Sequence, residues 1–286
     1  MLRFNLKANT VSTDPQTRID YCRALGIESV QEPGPAIAGF AETGRYTDGR
    51  LIDHKKLYTD GGIDLAAMAS GNVTADMVLG TGDGEKGVQD LIANIQAIGK
   101  AGIPVATTGC PVPQPANPAD EDALFDKIGA YFTRISKVAE DSGVKLACHS
   151  PWPPNRVGWL WGTRYFGRLF EVAPSPANGY LYDNAVHHML GDDPVAAVHQ
   201  FKDRIFYVHI RDVKKTDGEG AAGTGYDEVF PGTGDCVLPP VLKALNDINF
   251  KGVLCPEHLP PVLGDTKDIA GNAYATAYFR GILAAL

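Results

Sequence analysis

The sequence predicts an α/β fold, a single closed barrel of eight β/α units, and two observations carry that reading. Eight short, mostly apolar segments alternate with helix-like stretches. Five boundaries between the two carry a glycine followed by Ile or Val: Gly26-Ile27, Gly62-Ile63, Gly102-Ile103, Gly143-Val144 and Gly252-Val253. A glycine there can take the left-handed conformation that ends a helix, and the β-branched residue begins the next strand. Short apolar strands separated by helices imply parallel pairing buried on both faces, and eight such units favour a closed barrel over an open sheet. A doubly wound open sheet is the alternative. No GxGxxG or Walker-type glycine loop follows the first strand, which weakens a dinucleotide or P-loop reading.

The expected strands are 3–7, 28–32, 63–69, 105–108, 145–149, 179–183, 205–210 and 252–256. Before Gly26, Asp14 and Pro15 read as N-cap and first helical position, with Ile19, Cys22 and Leu25 following at helical spacing. Val88, Leu91, Ile92, Ile95 and Ile98 trace one apolar stripe, and Leu124, Phe125, Ile128, Phe132, Ile135 and Val138 trace another. Asp193-Pro194 is expected to start the helix after the sixth strand, and Asp235 the one containing Leu238, Val241, Leu242 and Leu245. The 286 residues fit one such barrel, and no linker or low-complexity stretch divides them, so a single domain over 1–286 is expected.

Composition excludes several classes. With 44% hydrophobic, 21% charged and 9% aromatic residues the chain is an ordinary globular one, neither disordered nor fibrous. The 26 Lys and Arg against 34 Asp and Glu leave a net charge of −8 with no dense basic tract, which argues against a nucleic-acid partner. The opening MLRFNLKANT lacks a secretory core and no apolar run of about eighteen residues occurs, so no membrane partner and a cytoplasmic location are expected. Five scattered cysteines without a CxxC fit reduced thiols.

In a barrel of this kind the catalytic groups sit at the carboxyl ends of strands. The fifth expected strand ends in His149 and the sixth in Asp183; the seventh carries His209 and Arg211, and the eighth delivers Glu257 and His258. Two imidazoles and two carboxylates on four consecutive strands can converge on one divalent ion, Mn²⁺, Mg²⁺, Co²⁺, Fe²⁺ or Zn²⁺, which would remove the cost of clustering their charges. Arg211 lies two residues beyond His209, on the same side. Its fork suits a substrate carboxylate or phosphate, and a structural ion pair with Asp212 or Glu257 is the plainer alternative. His258 adjoins a proposed ligand and is the best-placed proton donor or acceptor. Trp152, Trp159 and Trp161 share one loop; Trp152 is the candidate to stack on a sugar ring, while packing is expected of the other two. His187 and His188 read as helix-start packing, His54 and His199 as surface helix residues, and Cys148 and Cys255 as buried, inert thiols. The glycine-rich stretch 217–225, DGEGAAGTG, is too long for a minimal connection and reads either as an active-site flap or as a plain disordered loop.

These residues resemble the mannonate dehydratase family, metal-dependent lyases on a xylose isomerase-like TIM barrel. The segment ACHSPWPP (147–154) is similar to the family's strand-five motif, PSPANGYLYD (174–183) to its SPxNG stretch, FKDRIFYVHIRDV (201–213) to its xDRIxFVHxRxV segment, and PEH (256–258) to its PDH. The resemblance spans roughly the second half of the chain. It implies His149, Asp183, His209 and Glu257 as ligands, with Arg211 facing substrate and His258 moving protons. The chain departs from the pattern where the family has a cysteine at Asp183, a TGS run at Asn184, Ala185 and Val186, and an Asp at Glu257. Oxygen in place of sulfur moves the preference toward Mn²⁺ or Mg²⁺. The family's tyrosine near the end has only approximate matches in Tyr274 and Tyr278.

The resemblance therefore implies a manganese-dependent lyase that dehydrates an aldonate to a 2-keto-3-deoxy acid, and a homo-oligomer acting on a small sugar acid or sugar is expected. The alternatives are a sugar isomerase or epimerase working through an enediolate, and a non-catalytic sugar-binding barrel with a structural metal. The related barrels that cut DNA at abasic sites fit the acidic charge poorly.

Overall fold

The computed structural model describes residues 2–71, 73–110, 112, 118–151, 161–265 and 267–286. The barrel strands are β1 (Arg3–Lys7), β2 (Ser29–Glu32), β3 (Asp64–Ala69), β4 (Val105–Gly109), β5 (Lys145–His149), β6 (Asn178–Asp183), β7 (Ile205–Ile210) and β10 (Val253–Pro256). They close in the order β1-β10-β7-β6-β5-β4-β3-β2, every pair parallel. The open-sheet alternative is excluded, and each strand lies within one residue of its expected bounds. Among the described residues no helix is long and apolar enough to cross a membrane.

Alternation along the strands decides which side chains face the barrel axis. Ala147, Leu181, Tyr207 and Cys255 form part of a small interior cluster, separate from the larger core between barrel and helices. Two residues further along each of those strands come His149, Asp183, His209 and Glu257. The apolar plug and the polar rim thus share one face. Tyr207 also joins a hydrogen-bonded layer across the barrel, accepting from Asn5 Nδ2 at 2.6 Å and donating to Gln31 Oε1 at 3.1 Å, while Gln31 Nε2 donates to Thr107 Oγ1 at 2.9 Å.

The helices follow the apolar stripes. Val88, Leu91, Ile95 and Ile98 are buried on the helix Gly84–Lys100, and Phe125, Ile128, Phe132 and Ile135 on the helix Glu121–Asp141. Asp14 caps the helix Pro15–Leu25 by accepting from Thr17 N, and Gly26 ends it at φ 64°. Two expectations fail locally. The helix Leu238–Asp247 does not start at Asp235, whose carboxylate instead accepts from Lys215 N at 2.8 Å. After that helix Asn249, at φ 55°, takes the left-handed turn. Gly252 is needed for space, because a Cβ there would sit 2.9 Å from the Phe206 carbonyl oxygen.

Gln31 points inward, so Glu32 at the end of β2 points out. It is fully buried there and pairs with Arg18 from the first helix, Tyr58 and His54, the last at 3.1 Å. His54 is therefore a mostly buried partner of Glu32 rather than a surface residue; His199 is exposed as expected. Removing one partner of a buried pair strands the other charge. Arg18→Met is expected to cost about 3–5 kcal/mol in urea unfolding, and the double change Arg18→Met, Glu32→Leu markedly less.

After β7 the chain forms a two-stranded antiparallel ribbon, β8 (Asp212–Lys215) with β9 (Tyr226–Val229), and the glycine-rich stretch is its turn. The buried Asp212 carboxylate fixes the ribbon's return by accepting from the backbone N–H of Val213, Gly232, Gly234 and Cys236 at 2.9–3.0 Å.

Candidate metal centre

His149, Asp183, His209 and Glu257 each offer a donor atom, and those atoms lie within 4.8 Å of one another at the carboxyl end of the barrel. Register places them together: Asp183 pairs with His209 across β6 and β7, and His209 with Cys255, two residues before Glu257. The hydrogen bonds fit a cation in their midst. His149 donates Nδ1–H to the Ser150 carbonyl at 2.9 Å, which leaves Nε2, 3.7 Å from Asp183 Oδ2, as the coordinating nitrogen. His209 is buried and neither ring nitrogen has a hydrogen-bond partner among the described residues; its Nδ1 lies 2.9 Å from Glu257 Oε1 without hydrogen-bond geometry. Orphaned buried nitrogens are costly, and a metal ion is the partner this set of donors suits.

The electrostatics agree. Burial opposes ionisation of Asp183, yet Arg211 and His149 hold its carboxyl below the usual range. Burial likewise opposes the Glu257 charge, and His209, Lys7 and His258 outweigh it. Burial pushes His209 down, toward the neutral form that coordinates, while Asp183 and Glu257 overcome burial to raise His149, so an ion bound there displaces a proton from that ring. The same burial pushes Cys255 up to about 11 and Cys148 well above its ordinary value, so both are inert thiols as expected.

Asp183 does two jobs. Its Oδ1 accepts from Ala185 N and Val186 N, capping the helix Asn184–Leu190, while Oδ2 accepts from Arg211 Nη2 at 2.9 Å and Nε at 3.1 Å. The neighbouring Asn184 side chain exchanges two hydrogen bonds with the Arg211 backbone. Arg211 closes its fork on Asp183 and, through Nη1 at 2.6 Å, on Glu228 of the ribbon. Of the partners expected for an ion pair, Asp212 is occupied elsewhere.

The ribbon roofs a cavity of about 280 Å³ whose wall includes His149, Arg211 and His258 from the barrel and Thr224, Tyr226 and Glu228 from β9 and its approach. His258 is half exposed and has a left-handed backbone, φ 52°, unusual for a residue with a side chain. His187 is buried against Tyr180 and Asp192, and His188 packs on Tyr226. Tyr274 donates to the Pro231 carbonyl and stacks on Tyr278; neither lines the cavity. Trp161 packs on the core, while Trp152 and Trp159 lie outside the described residues.

Three residues of the site were not anticipated. Lys7 ends β1 and donates to Glu257 Oε2 at 3.1 Å; the strand-end rule applied to the first strand would have found it. Tyr226 and Glu228 alternate along β9, a signal present in VKK and YDEV flanking the glycine-rich turn.

Residues 18–273 match the family described as xylose isomerase-like TIM barrel. The chain belongs to that family. Within it, the chain is similar to the mannonate dehydratase of Oceanobacillus iheyensis, 23% identical over 173 residues that make up 57% of this chain and 49% of that protein. The chain thus spans about half the length of the curated relatives it matches. Among solved structures, the mannonate dehydratase of Streptococcus suis serotype 2 superposes with a TM-score of 0.79 at 20% identity, covering 100% of this chain and 95% of that one. An L-ribulose 3-epimerase does so at 0.71 and 17%, again covering 100% and 95%. Both likenesses are of fold, shared by a dehydratase and an epimerase.

Proposed function

We propose that this chain is a metal-dependent lyase that removes water from a sugar acid of the aldonate class, leaving a 2-keto-3-deoxy acid. The observation that carries this is the charge balance at the barrel mouth. Three carboxylates, Asp183, Glu257 and Glu228, meet two side-chain cations, Arg211 and Lys7. A divalent ion held by His149, Asp183, His209 and Glu257 turns a net negative site into a net positive one. Such a site attracts a monoanion more than a neutral sugar. The similarity to mannonate dehydratases points the same way, and the two carboxylates with two imidazoles favour Mn²⁺.

When bound, the ion supplies Lewis-acid polarisation that makes the proton beside the carboxylate more acidic. The remaining work falls to side chains. Arg211 and Lys7 orient the carboxylate, and His258 takes the proton from C2. The C3 hydroxyl departs as water, taking the proton that His258 removed from C2, and the resulting enol transfers its O–H proton to C3 to become the keto acid. The ribbon limits access of solvent water.

A second reading, a sugar isomerase or epimerase in which the proton returns to carbon, is favoured by one contact: Arg211 already spends its fork on Asp183 and Glu228. An aldonate panel with Mn²⁺, followed by a semicarbazide assay for 2-keto acids, separates the two. A new keto-acid signal from mannonate or a close aldonate is the expected outcome; a panel that yields only epimers supports the second reading.

A further inference from the structure

Glu228 sits on the ribbon, outside the barrel, yet one of its carboxylate oxygens touches two residues at the barrel mouth. Oε1 accepts from Arg211 Nη1 at 2.6 Å and lies 3.0 Å from His258 Nδ1. The opposite nitrogen of the same ring, Nε2, is 3.3 Å from Glu257 Oε1. The imidazole is thereby strung between a ribbon carboxylate and a residue of the candidate metal centre.

We infer that Glu228 is a positioning residue that fixes the ring and tautomer of His258. This rests on the proton-transfer role given to His258 above. Three features support it. His258 is 46% exposed in its side chain, so packing alone does not hold the ring. Its left-handed backbone is a conformation that persists only where surroundings enforce it. Glu228 also lines the cavity beside His258 and Arg211, so it acts where substrate would bind. Carboxylate oxygens face both ring nitrogens, but Glu228 is the nearer, at 3.0 Å against 3.3 Å, and Glu257 is already engaged by Lys7 and the candidate metal centre. The ring proton therefore goes to Nδ1, and Nε2 keeps the lone pair that receives a proton. Arg211 holds the same Oε1 in place, and Asp212, through its four backbone contacts, holds the ribbon that carries it.

The arrangement has a second consequence for binding. A substrate carboxylate approaching Arg211 meets Glu228 on the same guanidinium, so loss of the Glu228 charge relieves competition there. Removing Glu228 therefore lowers kcat through His258 while leaving KM unchanged or lower. A purely structural role would move both together with stability.

The test uses the full chain and three variants, Glu228→Ala, Glu228→Gln and His258→Ala, with mannonate and Mn²⁺. Glu228→Ala is expected to retain its metal and lose roughly 100-fold in kcat without a rise in KM, in line with the worth of a positioned acid or base. Glu228→Gln, which keeps an acceptor oxygen, recovers most of that loss. The double variant Glu228→Ala, His258→Ala turns over no more slowly than His258→Ala alone, because one residue acts through the other.

A readout without turnover is the His258 tautomer, taken from ¹⁵N shifts of histidine-labelled chain loaded with Mg²⁺. The Nδ1–H form is expected in the wild type and in Glu228→Gln, and loses its dominance in Glu228→Ala. Wild-type kcat and an unchanged tautomer in Glu228→Ala overturn the inference, as does a further loss in the double variant. If His258→Ala itself keeps full turnover, the proposed proton-transfer role fails instead, and the tautomer measurement still decides whether Glu228 orients the ring.

Discussion

Glu257→Ala is expected to lower affinity for Mn²⁺ by at least about 100-fold, since even the outer partners of metal ligands are worth 10- to 100-fold. The carboxylate is buried and serves three neighbours at once: Lys7 on Oε2, and His209 and His258 on Oε1. Its loss removes one donor of four and leaves the Lys7 ammonium without that partner. Elemental analysis of purified protein and a Mn²⁺ titration measure the effect, with His149→Ala expected to behave alike. Bound metal unchanged in both variants would falsify the assignment of the centre. The same experiment addresses a structural ion. Arg211 and Lys7 already offset Asp183 and Glu257, so the metal-free chain is expected to stay folded after chelation. Added Mn²⁺ then raises the stability of the wild type by about 2.7 kcal/mol at a hundredfold excess over Kd, and that of the variant hardly at all.

The residues that reach the centre were legible because barrel strands alternate and end abruptly. His149, Asp183, His209 and Glu257 each follow an apolar residue two places earlier on the same face, so strand, plug and rim are written into one short run. The glycine punctuation worked for the same local reason at Gly26, Gly102 and Gly143, which carry the left-handed turn. It misled at Gly252, where the need was room beside Phe206, and close approach between distant segments leaves no mark in a local pattern. Asp235 misled likewise: a carboxylate near a helix start can serve the ribbon instead. The partners of Arg211 depended on which loop folds back over the barrel. Glu228 is remote in sequence from every barrel-strand end, and only the ribbon's return, pinned by Asp212, brings it to the mouth. Burial of Glu32 with Arg18, Tyr58 and His54 was equally hidden, since it needs three separate elements in register.

His258→Ala is expected to keep the metal and to lose between about 100- and 10,000-fold in kcat, the range attributed to a positioned general acid or base. The ligand set survives because His258 touches it only from outside, through Nε2 to Glu257. Two effects are mixed in that substitution, since alanine takes φ 52° less readily than histidine and loss of the ring also removes the contacts that hold this backbone. His258→Gly separates them. Glycine adopts the left-handed backbone without cost, so the loop is held as well as or better than in the wild type while the imidazole is gone. If the ring moves the proton, His258→Gly is as slow as His258→Ala, and added imidazole restores part of its turnover by entering the space beside Glu228 and Arg211 on the cavity wall. Steady-state kinetics with an imidazole titration measure this. Wild-type kcat in His258→Gly assigns the effect of His258→Ala to the backbone and leaves proton transfer to another group at the mouth, with Lys7 next in line through its contact to Glu257.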